Sequence, residues 1–250
     1  MTLALFILVL ALIVVGAVAQ RIAGLGFALL VSPFLVLILG PHEGVLLINI
    51  CGVVSSALIT PRVWKDIDWG MFRWLAIPAV LGSVAGSFAA VGLPSAPLAV
   101  TVGAVVLVAL TASLLLQRSS VVLTGNRSKA VAGLASGLTN SMAGVGGPAV
   151  SAYALLSRWP QRPFAATLQP FFTVIGSATI LVKLLIDPGG VPPLETWMWI
   201  LIPLSIIVGI LAGERLAKYI RDRHARFAVV VIAFLGAATA LIKGIIDLLG

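Results

Sequence analysis

Ten apolar segments follow one another along the chain, and only short polar stretches separate them. They fall at roughly 3–19, 24–39, 44–60, 70–91, 96–116, 129–142, 146–158, 164–186, 195–217 and 225–248. Segments of about 20 apolar residues are long enough to cross the hydrocarbon core as helices. With 60% hydrophobic and 10% charged residues, the chain lacks the polar surface of a soluble domain. The sequence therefore predicts an all-α polytopic membrane protein.

A glycine-rich motif occurs early in each half of the chain. Ala23-Gly24-Leu25-Gly26 returns as Ala143-Gly144-Val145-Gly146, with a spacing of 120 residues. At the same spacing Gln20 corresponds to Asn140, Arg21 to Ser141, Leu35 to Leu155 and Asn49 to Gln169. The apolar segments on either side of each motif are short, so we expect broken or re-entrant helix pairs to open both halves. Such backbone is tolerated in a membrane only where protein or a water-filled cavity surrounds it.

The positions of Lys and Arg predict which loops share a side of the membrane. The basic loops lie at 62–73, 118–129, 158–162 and 218–226, whereas the loops at 41–43, 92–97 and 187–195 contain no Lys or Arg. Basic loops favour the cytoplasmic side. The two kinds of loop alternate along the chain, apart from the two basic loops on either side of the short pair at 129–158, because such a pair returns the chain to the same face. The protein is expected to cross a bacterial-type inner membrane several times, with both termini on the extracytoplasmic side.

This alternation also predicts two inverted-topology repeats of about five segments each. Because five is an odd number, the second copy begins at the opposite face of the membrane. The first repeat is placed at 1–117, a cytoplasmic linker at 118–128 and the second repeat at 129–250. Inverted repeats arrange equivalent elements around an axis in the membrane plane, which suits alternating access.

The two glycine breaks are the expected binding site. A helix that starts at such a break offers free backbone N–H groups and the positive end of its dipole, and these attract anions. Arg21 either adds a fixed charge for an oxyanion or is an ordinary cytoplasmic loop residue. Asn49 and Gln169 either join helices or donate to substrate oxygens. The candidate substrate-binding residues are Gln20, Arg21, Gly24, Gly26, Asn49, Asn140, Ser141, Gly144, Gly146, Gly147 and Gln169.

Two further patterns are expected to be structural. Gly82–Gly86 and Gly209–Gly213 are small-residue faces that follow a proline, and small residues let helices pack closely in lipid. Lys183 is expected to reach the membrane surface or to pair with Asp187 one turn later.

Several classes of function are excluded. No acidic residue lies clearly in mid-membrane, which argues against a large cation substrate and a carboxylate proton relay. The chain contains no catalytic motif and no phosphate-binding loop, so neither an enzyme nor an ATPase is expected. The single Cys51 excludes an internal disulfide and a multi-thiolate metal site. No cofactor, metal or nucleic acid is expected, and the expected partners are a small anion and the lipid bilayer.

Two glycine motifs also resemble those of a known family. They are Ala23–Gly26, with Pro33 downstream, and Ala143–Pro148. Through them the sequence resembles the TauE/SafE sulfite exporter family of membrane permeases. This resemblance implies transport of small sulfur-containing anions such as sulfite, sulfoacetate or related organosulfonates. It also implies that the two breaks and their flanks line the substrate, although Phe27-Ala28 stands where the second copy has Gly147-Pro148.

We therefore expect a secondary transporter that exports a small anion, with sulfite or an organosulfonate as the best candidates. Substrate would bind near the midplane between the inverted repeats, and rocking of the repeats would expose it to either side. The alternatives are a non-transporting membrane scaffold subunit and an uncoupled anion channel. The sequence leaves open whether a proton or sodium is the coupling ion and whether the chain forms a homo-oligomer.

Overall fold

Ten α-helices and one short 3₁₀ turn make up the described part of the chain. A computed structural model describes residues 2–23, 27–116, 121–219 and 222–249. The helices are α1 (Leu3–Ala23), α2 (Phe27–Leu39), α3 (Pro41–Val63), α4 (Trp69–Gly92), α5 (Ser95–Leu116), α6 (Asn126–Ala143), α7 (Gly147–Leu156), α8 (Gln161–Ile186), α9 (Thr196–Leu216) and α10 (Asp222–Leu249), and the 3₁₀ turn is Trp64–Asp66. These residues contain no strand, and the predicted all-α fold is confirmed.

Seven of the described helices are long and apolar enough to cross a membrane, namely α1, α3, α4, α5, α8, α9 and α10. As predicted, α2 and α7 are short, with 13 and 10 residues. Helix α1 is longer than predicted, because it continues through Gln20 and Arg21 to Ala23. A basic residue is favourable in the last turn of a helix, so Arg21 does not need to end it. The first pair therefore joins one full-length helix to one short helix.

Four helices begin about three residues earlier than the sequence predicts, namely α3, α6, α8 and α10. The earlier starts of α3 and α6 alter predicted loops. Helix α3 starts at Pro41, directly after Gly40 with φ +92°, and proline is favoured at the first position of a helix. His42 and Glu43 therefore lie in the first turn of α3 rather than in a loop. Helix α6 starts at Asn126 after Gly125 with φ +97°, which places its first turn inside the predicted linker at 118–128.

The predicted basic loops meet at one end of the bundle, here named the basic end. Glu214 of α9 lies 3.6 Å from Arg21 of α1 and 3.8 Å from Arg62 of α3. Asp66 pairs with Arg162 at 3.0 Å. These ion pairs bring residues from four parts of the chain together, so the grouping of the basic loops is also found in space.

The loops without Lys or Arg meet at the opposite end, here named the non-basic end. His42 at the start of α3 interacts electrostatically with Asp187, just after α8. Phe6 near the start of α1 packs edge-to-face on Trp197 at the start of α9, with ring centroids 5.4 Å apart. The N-terminal part of α1 therefore lies at the non-basic end.

Buried apolar side chains form two clusters. The larger cluster combines residues of α1, α2, α3, α5, α9 and α10 with Ala143 of α6 and Val145 of the second break. The smaller cluster combines residues of α4, α6, α7 and α8. Each cluster draws helices from both halves of the sequence. The two halves are therefore interlocked in space, although they follow one another along the chain.

Glycines bring two pairs of helices into backbone contact. On α4 and α6, Gly82 and Gly86 lie against the backbone of Leu134 and Leu138, while Gly133 and Gly137 lie against Leu75 and Ala79. On α9, Gly209 and Gly213 lie against Val14 and Val18 of α1. The predicted packing role of Gly82–Gly86 and Gly209–Gly213 is confirmed.

Replacing Gly137 with alanine should destabilise the protein, because the added Cβ would overlap the backbone carbonyl oxygen of Ala79. Overpacking of this kind costs about 1–3 kcal/mol, which would lower the melting temperature of the purified protein in detergent. Gly92→Ala is the matched control, since nothing lies within 4 Å of a Cβ built there. Equal melting temperatures for the two variants would contradict the close contact between α4 and α6.

Candidate functional site

The second glycine break is a tight turn between α6 and α7. Gly144 ends α6 with φ +72°, a left-handed conformation that favours glycine. Its N–H donates to the carbonyl oxygen of Asn140 at 2.7 Å. The Ser136 hydroxyl donates to the carbonyl oxygen of Gly146 at 2.6 Å. These bonds fix the point from which α7 starts at Gly147.

Described residues near the first break lie beside the second break. Gly24 and Gly26 are outside the described residues, but the residues around them are described. Ser32 of α2 donates to the carbonyl oxygen of Ala143, at the end of α6, at 2.6 Å. This bond joins positions 111 residues apart, so the helix that follows the first break is attached to the second break.

A cavity, here named the central cavity, lies between the second break and described residues on either side of the first motif. Its volume is about 60 Å³, which is room for a small solute and is well below the roughly 300–1,000 Å³ typical of sites for drug-sized ligands. Six of the predicted site residues line it: Gln20, Asn49, Asn140, Gly144, Gly146 and Gly147. The structure thus brings together most of the predicted residues that it describes.

Helix α3 contributes cavity residues that the sequence prediction missed. Gly52, Ser55 and Ser56 line the cavity together with Asn49. Intervals of three or four residues place side chains on one face of a helix, so the spacing from Asn49 could have found them. The Ser55 hydroxyl is buried and has no hydrogen-bond partner among the described residues. It is therefore available to a ligand.

Asn49 and Asn140 form a buried amide pair at the cavity wall. Asn140 Nδ2 donates to Asn49 Oδ1 at 2.6 Å and to Thr179 Oγ1 at 3.3 Å. Asn49 Nδ2 donates to the carbonyl oxygens of Val45 at 2.8 Å and Asn140 at 3.4 Å. Since each amide has two N–H donors, these bonds engage all of them. The geometry is therefore that of a link between α3, α6 and α8.

Two other predicted residues lie away from the central cavity. Ser141 donates to the carbonyl oxygens of Gly137 and Leu138, both at 3.1 Å, and packs against Gly86 of α4. Gln169 donates through Nε2 to the carbonyl oxygen of Ala165 at 3.1 Å. Ser141 therefore serves the packing of α6 on α4.

A second and larger cavity extends to the basic end and is here named the basic vestibule. Its volume is about 560 Å³. It shares Gln20, Leu29, Gly147, Pro148 and Phe172 with the central cavity. Its wall also contains Arg21, Arg162 and Gln169. The shared wall places the vestibule next to the central cavity, on the side of the basic end.

Charge is distributed unevenly between the two cavities. Among the described residues that line the central cavity, none is charged. The arginines lie in the vestibule, where the Arg21 side chain is 55% exposed. Helix α7 begins at Gly147 in the cavity wall, and the start of a helix offers unpaired N–H groups and a positive dipole. This arrangement attracts an anion without a fixed counter-charge.

The chain matches the family described as Sulfite exporter TauE/SafE over residues 8–240. It belongs to the TauE/SafE sulfite exporter family. Neither a search of curated proteins nor one of solved structures gave a match. TauE/SafE membership implies a multi-pass membrane transporter for a sulfite-type anion, consistent with the expectation that the chain is not an enzyme. Both breaks lie inside the matched TauE/SafE range.

Proposed function

We propose that this protein is a secondary transporter that exports sulfite or a small organosulfonate by alternating access. The observation that carries the proposal is the uncharged central cavity, at which the start of α7 meets residues that flank the first break. Backbone N–H groups at the start of α7, the Ser55 hydroxyl and the Gln20 amide would donate to substrate oxygens. Asn49 and Asn140 would hold the cavity wall in place.

No described residue of the cavity wall is charged, and this suits a site that must release its substrate better than a site that retains it. A translocation site must bind strongly enough to admit the substrate and weakly enough to release it. A helix dipole and neutral hydrogen-bond donors attract an anion less strongly than a buried ion pair with a basic side chain would. The arginines of the basic vestibule would concentrate the anion at the mouth of the cavity, because fields of one sign raise the local concentration of counter-ions.

The contacts between equivalent helices support two inverted repeats at 1–117 and 129–250, joined by the linker at 118–128. A spacing of 120 residues makes α5 equivalent to α10 and α3 equivalent to α8. Gly103 of α5 lies against Leu241 of α10, while Gly244 lies against Val100. The later residue of α5 therefore contacts the earlier residue of α10, so the two helices are antiparallel. Equivalent helices of two inverted repeats have this antiparallel orientation.

Helices α3 and α8 show the same relation. Gly176 lies against Val53 of α3, and His42 at the other end of α3 interacts with Lys183. The packing of α4 on α6 likewise corresponds to that of α9 on α1.

We further propose that the basic end faces the cytoplasm and that the termini face outward. The vestibule would then make this arrangement the inward-open one.

Sulfite flux into and out of proteoliposomes tests the proposed function. We expect saturable flux and counterflow, in which unlabelled sulfite on one side drives labelled sulfite across from the other. Empty liposomes provide the control. Flux without saturation or counterflow would identify an uncoupled channel, and no flux of sulfite or of small organosulfonates would favour a scaffold subunit. Either result would contradict the proposal.

Arg21→Ala should weaken substrate capture without stopping transport. Arg21 lies in the vestibule beside Glu214 rather than in the central cavity. We expect the half-saturation concentration for sulfite to rise roughly 2–10-fold with little change in maximal flux, because steering charges mainly alter encounter. Arg73→Ala is the matched control, since Arg73 is also exposed and basic. If the transport kinetics of Arg21→Ala equal those of wild type, Arg21 does not help to capture the anion and serves only the membrane topology.

A further inference from the structure

Lys183 is a buried basic residue that forms no ion pair with the described residues. Its residue is 6% exposed, and its Nζ has no hydrogen-bond partner among the described residues. The prediction that it reaches the surface or pairs with Asp187 is wrong. Asp187 instead accepts a hydrogen bond from the N–H of Gly189 at 3.1 Å, in the turn that follows α8.

An unpaired charge inside a membrane protein is costly, and such residues usually mark the path of a ligand or ion. The missing partner of an ammonium group is an anion. On α3 the neighbour of Lys183 is His42, which also interacts with Asp187. Asp187 is thus an acidic group in this neighbourhood, but the ion pairs of the described residues do not join it to Lys183. The described residues therefore leave the Lys183 ammonium group without a close counter-ion.

Lys183 also lies in line with the central cavity. It follows Gly176 by seven residues on α8, and His42 precedes Asn49 by seven residues on α3. Seven residues are two helical turns, so each pair shares a face and is separated by about 10 Å along the axis. Since Gly176 and Asn49 line the cavity, Lys183 lies two turns farther toward the non-basic end. The basic vestibule lies on the opposite side.

We propose that Lys183 forms a second anion-binding station, which takes a sulfite-type oxyanion between the central cavity and the non-basic end. The station rests on the proposed export function and extends it. An exported anion would be concentrated by the vestibule arginines, bind in the uncharged central cavity, and pass to the Lys183 ammonium group before release. With basic side chains on both sides of the uncharged central cavity, the anion would cross in several short steps between neighbouring sites.

Lys183→Met tests the station in proteoliposomes. We expect sulfite flux to fall about tenfold or more, because a charge-assisted contact to the anion is lost. Lys183→Arg keeps the charge and should keep most of the flux. Lys243→Met is the matched control, since it removes the same charge from an exposed position of α10, another spanning helix. Equal flux through wild type and Lys183→Met would overturn the proposal.

Anion-dependent thermal stability provides a readout that does not need transport. Sulfite should raise the melting temperature of purified wild-type protein and of Lys243→Met, and the rise should shrink clearly in Lys183→Met. If wild type shows no flux but this pattern holds, the export function fails while the anion station stands. An unchanged rise in Lys183→Met would overturn the station.

The stability of Lys183→Met without sulfite separates binding from a structural role. Removing an uncompensated buried charge should leave the protein at least as stable as wild type. A variant that fails to fold, or melts well below wild type without anion, would assign Lys183 to the fold and overturn the proposal.

Discussion

Gly144→Ala is expected to abolish transport and to lower the melting temperature by several degrees. A non-glycine residue at φ +72° costs about 1–2 kcal/mol. The new Cβ would also overlap Ile48 Cγ2 on α3, and overpacking adds about 1–3 kcal/mol. Because Gly144 sets the direction in which α7 leaves α6, relief of this strain would move the start of α7 in the cavity. Sulfite flux and thermal unfolding in detergent measure the two effects.

Gly52→Ala is the matched control for Gly144→Ala. Gly52 lines the same cavity, and nothing lies within 4 Å of a Cβ built there. The control should fold like wild type and should alter flux only through the added methyl group. Adding Ile48→Ala to Gly144→Ala removes the overlap but not the backbone strain, so stability should recover in part. Normal stability and flux in Gly144→Ala would show that the break is not the rigid element described here.

Asn140→Leu should produce the second large loss. It removes the donors to Asn49 Oδ1 and Thr179 Oγ1 and leaves a buried carbonyl oxygen on Asn49 without its partner. An unsatisfied buried polar group costs about 1–3 kcal/mol. The link between α3, α6 and α8 would loosen at the cavity wall. We expect sulfite flux to fall about tenfold or more, together with a lower melting temperature.

Two companion variants test this explanation. Thr173→Val removes a hydrogen bond within α8, from the Thr173 hydroxyl to the carbonyl oxygen of Gln169, and should have little effect. Asn49→Leu combined with Asn140→Leu removes both amides, so their stability losses should not add. Losses that add in the double variant would mean that the two amides act independently.

The sequence predicted that α2 and α7, the helices after the two breaks, are short, because the glycine motifs limit where they can begin. Most of the described candidate residues line one cavity. The sequence missed the full lengths of α1 and α6. It did not predict which polar residues meet. The spacing of 120 residues relates Asn49 to Gln169, whereas Asn49 bonds to Asn140. The spacing of 120 residues identifies equivalent positions in the two repeats. Equivalent side chains contact each other only if they lie close to the axis that relates the repeats. Contact across the repeats depends on tertiary packing that periodicity does not contain.

The error at Lys183 has a local cause. Residues four apart on a helix are neighbours, which made Asp187 the expected partner. Helix α8 ends at Ile186, and Asp187 leaves the helical conformation with φ −133° and ψ +86°. The carboxylate is therefore turned into the following loop, where it accepts from Gly189. The segment was predicted to end at 186, where α8 does end, but the first residue beyond a helix need not keep the position that four-residue spacing assumes.

The pairing of α1 with α9 has a consequence for biosynthesis. Helix α1 leaves the ribosome first, but the glycines Gly209 and Gly213 against which it packs belong to a helix that begins only at Thr196. Before then α1 has α2 as a neighbour, since Gly16 lies against Phe27 and Val31, but it lacks α9. Its mean hydropathy of 2.8 is the highest among the candidate spans of the described residues. This high hydropathy suits a helix that spends part of membrane insertion without one of its packing partners.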